Sequence, residues 1–460
     1  MGTPPAPDPD VTSRVAPARR LPPGPSALSA VTHFRRVRRD PRIYFGWLRD
    51  TYGDVAMARI GPRRICVVSE PELVREVLVN QQRIVTKTRA LRRAALLLGN
   101  GLLTSEGDDW LRQRRLIQPA FHRDRIAGYA DTMVAFAQRR SSTWRDGSAI
   151  DAHAEMMSLT LAIAGETLFG ARVEHEATEI AEALEIAMSM FRRMTMPFSE
   201  LLDRLPLPAN RRFAVARARL DATVHRMIAE RRASGVDTGD VLSMLLLAQD
   251  ESDGTGMTDE QVRDEVLTLF LAGHETTASA LAWTWYLLAR NSDAERALHR
   301  EVDSVLGEHT PTAADLERLP YTRAVLAESM RMYPPAWTLG RETHAPMTLG
   351  GYDVPVGTMV FMSQWLIHRD ARWFPEPLAF CPERWTPEFE STLPRMAYFP
   401  FGGGPRKCIG ESFAWMEGVL VLATLARRWR MRVPDGVDPK PRALITLRPA
   451  GGVPAILERR

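Results

Sequence analysis

Phe401-Gly402-Gly403-Gly404-Pro405-Arg406-Lys407-Cys408-Ile409-Gly410 is the stretch on which the fold turns. A cysteine follows a glycine-rich, cationic approach. An apolar segment of helical composition, Glu411 to Ala426, comes directly after it. Free amides at a helix start and a nearby guanidinium both stabilise negative charge on sulfur. Glycines let the backbone approach a bulky flat ligand and turn its amides toward the sulfur. These features predict a thiolate able to ligate iron. A bare Gly-x-x-Cys is more often a structural cysteine beside a turn. The full spacing Phe-x-x-Gly-x-Arg-x-Cys-x-Gly, met by Phe401, Gly404, Arg406, Cys408 and Gly410, is much harder to reach by chance.

That spacing resembles the cysteine loop of the cytochrome P450 haem-thiolate monooxygenases, and the resemblance runs from about residue 21 to the C-terminus. It implies a mainly α, single-domain cytochrome P450 fold with a small β region. The cofactor is expected to be heme b (iron protoporphyrin IX), held non-covalently between a long kinked distal helix and the proximal cysteine loop. Cys408 is the expected axial metal ligand. Phe401, Gly402, Gly410 and Ala272 match positions that touch the cofactor in that family.

Composition agrees. The chain has 460 residues, 45% of them hydrophobic, which suffices for a large core. Three scattered cysteines, Cys66, Cys381 and Cys408, argue against a disulfide framework and for a cytoplasmic setting. No Cys-x-x-Cys-His occurs, and no apolar run approaches the ~18 residues of a membrane span. Residues 1–20 read as a disordered Pro/Ala-rich leader, and 21–460 as one catalytic domain. The net charge of +4 is not that of a nucleic-acid binder.

Helical period and composition predict helices over Asp151–Phe169, His175–Met190, Phe213–Ser234, Asp259–Arg290 and Asp315–Arg331. Val55–Ile60 and Arg64–Val68 flank Gly61-Pro62 as a hairpin, and Met359–Met362 is a further strand.

Within Asp259–Arg290 lies Ala272-Gly273-His274-Glu275-Thr276. Gly273 weakens the helix by about 1 kcal/mol relative to alanine. Thr276 can bond back to the Ala272 carbonyl, which bends helices. A kink with an opened groove is expected, sized for a molecule such as dioxygen. By resemblance, Glu275 and Thr276 are the catalytic pair that relays protons, with Glu275 reaching solvent through water. His274-Glu275 could open a zinc-binding His-Glu-x-x-His, but position 278 is alanine. No Gly-Lys pair exists, which excludes a P-loop.

Glu328 and Arg331 stand three apart on a helix and can pair. The resemblance joins them to Arg384 in a structural network behind the cysteine loop. It also assigns Trp110, Arg114, Arg341 and Arg406 to the haem propionates. It draws the substrate pocket from Leu98, Phe270, Ala272, Thr276, Ala336, Trp337, Thr338, Leu339 and Ile445. Nearly all are apolar, which points to an apolar substrate. The segment Leu205 to Phe213 is similar to terpene hydroxylases of actinobacteria, which suggests a terpenoid or other secondary metabolite.

The chain has no flavin or iron–sulfur module, so NAD(P)H electrons would arrive through a separate ferredoxin reductase and ferredoxin. Arg112, Arg115, Arg395, Lys407 and Arg428 could form the basic docking patch, and a monomer is expected. Two other readings stay open. The same fold can perform oxidative coupling, cyclisation or peroxide-driven oxidation, or serve as a non-catalytic haem sensor or partner-recruiting protein.

Overall fold

The computed structural model describes residues 20–26, 30–170, 205–250 and 254–460. At its centre runs one helix, Asp259–Arg290, of 32 residues. Its start is strongly specified. The Thr258 side chain accepts from the Gln261 amide, Gln261 answers onto the Thr258 amide, and Asp259 and Glu260 place negative charge in the first turn. Most of the helix is buried, against Ala152–Phe169, Pro208–Ser234, Pro320–Met332 and Glu411–Ala426. A helix apolar on most sides belongs inside a large core, and this one threads it.

Five strands form a side sheet. Val55–Ile60 pairs antiparallel with Arg63–Val68, which runs parallel to Met359–Met362. Leu339–Thr343 and then the edge strand Val85–Lys87 follow, with Lys87 opposite Arg341. A three-stranded sheet joins Ala149–Asp151, Pro454–Arg459 and Trp429–Arg432. A C-terminal hairpin pairs Pro441–Ala443 with Leu447–Pro449.

Four of the expected helices are described, and the fifth, His175–Met190, lies outside the described residues. Asp259–Arg290 forms with the expected bounds, and Phe213–Ser234 begins earlier, at Pro208, with proline at its first position. Asp315–Arg331 needs correction. Asp315 lies inside a 3-10 turn, Ala313–Arg318, that Thr312 caps, and the α-helix starts anew at Pro320. Pro320 has no amide hydrogen to continue the first turn, but suits the start of a second.

Behind the cysteine loop, Glu328 is fully buried and its carboxylate accepts five hydrogen bonds. Arg331 gives two at 2.8 Å, the Cys381 amide one at 3.0 Å, Arg384 one at 3.1 Å and the Trp385 indole one at 2.9 Å. Arg331 spends its remaining donors on the carbonyls of His368, Pro377 and Ala379. His368 accepts from the Phe399 amide at 3.0 Å, and the Tyr398 hydroxyl donates to the Ala327 carbonyl at 3.0 Å. The network thereby fixes the chain two residues before Phe401.

The loop then closes on itself. The Cys408 amide donates to the Phe401 carbonyl at 3.0 Å, across a 3-10 turn at Gly404–Arg406. Gly404 has φ +69° and lies so close to the Leu78 carbonyl that a Cβ would overlap it.

Two outcomes follow. Glu328→Gln should lower unfolding free energy by about 3 kcal/mol, the usual result of removing one partner of a buried ion pair, read as a lower urea midpoint. An unchanged midpoint would show that the network is not structural. Gly404→Ala should cost ~1–3 kcal/mol through strain and give protein that loses its cofactor faster on gel filtration. Equal retention would count against the tight loop geometry.

Candidate haem site

Cys408 occupies an unusual place: its side chain is solvent-accessible, yet protein surrounds it on all sides. It therefore faces an interior space rather than the outer surface. The sequence predicted a site that favours the thiolate, and here the balance differs. Burial pushes the thiol up, Glu411 adds to this, and the Gly410 amide, Arg114 and Lys407 only partly offset it. A bound metal cation reverses such a balance, because a coordinating thiol is deprotonated outright.

Cations gather beside the loop. The Arg406 guanidinium lies over the Trp110 ring at 4.8 Å and pairs with Glu106. Its Nη1 is buried without a hydrogen-bond partner. Arg341 is enclosed, and burial together with nearby Arg406 brings its pKa down to about 10. Lys87, on the strand facing Arg341, donates to the Leu102 carbonyl at 2.9 Å, and burial with the Arg406 and Arg341 charges pushes it down to about 7. Three cations thus crowd one carboxylate, Glu106. Arg114 turns toward the cysteine loop and donates to the Lys407 carbonyl at 2.9 Å.

A surplus of half-satisfied positive charge beside an accessible interior thiol fits a flat group that carries acidic side chains and a metal at its centre. A haem with two propionates has that chemistry. Cys408 would hold the iron, and Lys87, Arg341 and Arg406 would face the propionates. Among the described residues no cluster of three or more His, Cys, Asp or Glu could hold a metal ion otherwise.

The long helix contributes a small open face. Ala272 is exposed and Gly273 and Thr276 are half-buried within a run of otherwise buried residues. Thr276 donates to the Ala272 carbonyl at 2.8 Å, as its position predicts, and Thr277 donates to the Gly273 carbonyl at 3.3 Å. The helix is unbroken through this stretch, so the local feature is these threonine back-bonds and the bare surface beside them. His274 is buried, with Nδ1 2.7 Å from the Phe270 carbonyl.

Glu275, expected to reach solvent through water, is held by protein groups. It is buried, and its carboxylate accepts from Arg448 at 2.6 Å and from the Thr446 hydroxyl. Burial works to raise its pKa, but the Arg448 charge and these hydrogen bonds win and hold the carboxyl below its usual range.

Other expected residues separate. Ala336, Thr338, Leu339 and Ile445 are half-buried. Leu98, Phe270 and Trp337 are buried. Phe270 stacks on Phe169 at 5.3 Å, and Trp337 packs on Phe45 and donates to the Leu444 carbonyl at 3.0 Å. The proposed docking arginines Arg112 and Arg115 do not stand free: both reach Asp250, at 3.3 Å. Arg395 and Arg428 are exposed, and Lys407 pairs with Glu411 at 2.5 Å.

Sequence reasoning missed Lys87, Glu106 and Arg448. For Lys87 a signal existed, since the chain has only three lysines, Lys87, Lys407 and Lys440. The others carry no local signature.

Comparison with known proteins agrees with this geometry. The family model described as cytochrome P450 matches residues 22–451. Cyclooctatin synthase of Streptomyces melanosporofaciens is 43% identical over 434 residues, covering 94% of each chain. Pentalenene oxygenase of Streptomyces avermitilis is 37% identical over 425 residues, covering 92% of this chain and 94% of that one. The crystal structure of the cytochrome P450DA heme domain superposes with a TM-score of 0.87 at 28% identity, covering 96% of this chain and 98% of the other. Among the described residues no helix is long and apolar enough to cross a membrane. With the cysteine loop, the Glu328 network and the fold in agreement, the chain belongs to the cytochrome P450 family and is an oxidoreductase of the monooxygenase type.

Proposed function

We propose that the protein binds heme b through Cys408 and inserts one oxygen atom of dioxygen into an apolar terpenoid. The observation that carries this reading is the accessible Cys408 thiol inside the protein, beside the cluster of Lys87, Arg341 and Arg406. When bound, the haem supplies oxygen activation, and a thiolate ligand donates electron density that favours O–O cleavage. The substrate class rests on the relatives, one of which is named for pentalenene, by its name an unsaturated hydrocarbon. An apolar ligand also suits the half-buried Ala336, Leu339 and Ile445.

The protein's own residues bind, shield and manage protons. Thr276 presents a hydroxyl on the open face of the long helix and is the proton-transferring group nearest the reacting atoms. Glu275, locked to Arg448, supplies fixed negative charge beside it and orients that face. Electrons come from NAD(P)H through a ferredoxin reductase and a ferredoxin that docks over the cysteine-loop side, near exposed Arg395, six residues before Phe401; Arg428 lies past the far end of the helix Glu411–Ala426.

Titration of the purified haem protein with a panel of cyclic terpene hydrocarbons should shift the iron from low to high spin for at least one member. A flat response to the panel, with conversion of a polar compound instead, would remove the substrate assignment. Thr276→Ala should keep the spin shift but lower product formed per NAD(P)H by roughly tenfold or more, the low end for general acid–base assistance, with hydrogen peroxide rising in step. Unchanged coupling would end the Thr276 assignment. Reduction by ferredoxin should slow as salt is raised from 0.05 to about 0.5 M, because exposed charges are screened; a salt-independent rate would argue against the basic docking face.

A further inference from the structure

Positive charge in this chain is segregated. Residues 30–69 carry nine arginines and three aspartates, a surplus of six in a chain whose net charge is +4. The helix Ala30–Arg39 holds four of the arginines and no acid. It packs on Pro41–Tyr52 and on Val55–Ile60. Buried His33 marks its inner side, stacked on Trp47 at 5.4 Å, while Arg35, Arg36, Arg38 and Arg39 are exposed. The neighbouring hairpin adds Arg59, Arg63 and Arg64 around its Gly61-Pro62 tip. Arg59 stands directly opposite Arg64, and like charges so placed destabilise a strand pair.

Neutralisation does not come from within. The three aspartates are engaged: Asp40 with Arg42 at 2.6 Å, Asp50 with Arg49 at 2.8 Å and Asp54 with Arg372 at 2.8 Å. Among the described residues, Arg35, Arg36, Arg39, Arg59, Arg63 and Arg64 have no acidic partner. Nor does this charge serve the haem site. Val55–Ile60 and Val85–Lys87 are the two edges of the five-stranded sheet, four strand spacings or about 19 Å apart. Two large apolar side chains project beside the cations: Ile43 is 72% exposed and Leu21 49%. Leu21 belongs to the segment that runs along Val55–Ile60, where the Met57 amide donates to the Pro23 carbonyl at 2.8 Å. Cations with projecting apolar groups suit a phospholipid surface, whose headgroups are anionic and whose interior is apolar. A purely hydrophilic polyanion has nothing to offer Ile43 and Leu21.

We propose that the corner formed by Ala30–Arg39 and the Gly61-Pro62 hairpin docks the protein, peripherally and reversibly, on an anionic phospholipid surface. The arginines supply the attraction to phosphate headgroups, and Ile43 and Leu21 enter the boundary below them. The same corner adjoins the expected substrate region. Arg42 donates to the Pro441 carbonyl at 2.5 Å, and Pro441 opens the hairpin that carries Ile445. Phe45 packs on Trp337 at 5.9 Å, next in sequence to Ala336. An apolar substrate partitions into lipid, so docking sets the protein where such a substrate is concentrated. That advantage rests on the apolar-substrate reading above; the docking itself does not.

The test is co-sedimentation of the haem-loaded protein with vesicles of equal parts phosphatidylglycerol and phosphatidylcholine. The wild type should pellet with them at about 0.05 M salt and be released as salt rises to about 0.5 M. It should stay in solution with phosphatidylcholine alone. A corner variant carrying Arg35→Gln, Arg39→Gln, Arg59→Gln and Arg64→Gln together should bind about tenfold or more weakly. A control carrying Arg123→Gln, Arg125→Gln, Arg145→Gln and Arg428→Gln, all at exposed positions, has the same net charge and should bind as the wild type does. Ile43→Gln should weaken binding without changing its salt dependence. The corner variant loses the Arg59–Arg64 repulsion, so its urea midpoint should be no lower than that of the wild type. If it does not fold, Arg39→Gln and Ile43→Gln decide: each should weaken binding, and wild-type binding in both would overturn the proposal. Wild type that ignores anionic vesicles at low salt, or equal losses in the two four-residue variants, would also overturn it. So would a corner variant that keeps vesicle binding but loses an acidic protein such as ferredoxin, which would give the patch to a protein partner. Binding is read without turnover, so its failure leaves the monooxygenase reading standing.

Discussion

One buried carboxylate organises the region that matters. Glu328 takes five hydrogen bonds with no exposure to water, and each donor comes from a segment that must be held: its own helix, the Cys381 turn and the Trp385 turn. A buried charge of this kind adds little net stability over apolar packing, but it tolerates no missing partner. That intolerance is useful. It specifies one arrangement of the chain through His368, Tyr398 and Phe399, and therefore one position for the loop that ends at Cys408.

The electrostatics on the two sides of the site are built differently. Beside the cysteine loop, positive charge is left in excess, with Arg406 Nη1 unpartnered and Lys87 driven toward neutrality by burial and then by its cationic neighbours. Along the long helix, charge is closed off in the Glu275–Arg448 pair. The first arrangement is suited to receive an anionic cofactor. The second sets a fixed field beside the helix face where Thr276 lies, without a mobile proton of its own.

Much of this was legible in the sequence, and what was not has physical reasons. The cysteine loop and the Glu328–Arg331 pair could be read because their chemistry is local: spacing alone brings the groups together. The bounds of Asp259–Arg290 were legible from helical period and composition. The break at Pro320 was visible in the sequence too, but an apolar helical period ran straight through it. The Glu275–Arg448 pair spans 173 residues, and no local pattern announces a contact between a mid-chain helix and a C-terminal hairpin. The packing of Phe270 on Phe169 and of Trp337 on Phe45 was illegible for another reason: hydrophobicity is the same property in a core and in a pocket, and it names no packing partner.

The central claim is that the sulfur of residue 408 binds haem iron. The reduced carbon-monoxide difference spectrum, taken on the wild type and on Cys408→Ser side by side, tests it most directly. The wild type should show the red-shifted band of a thiolate-ligated haem, and the serine protein should lack it. The same red-shifted band in both proteins, or its absence from haem-loaded wild type, would contradict the assignment.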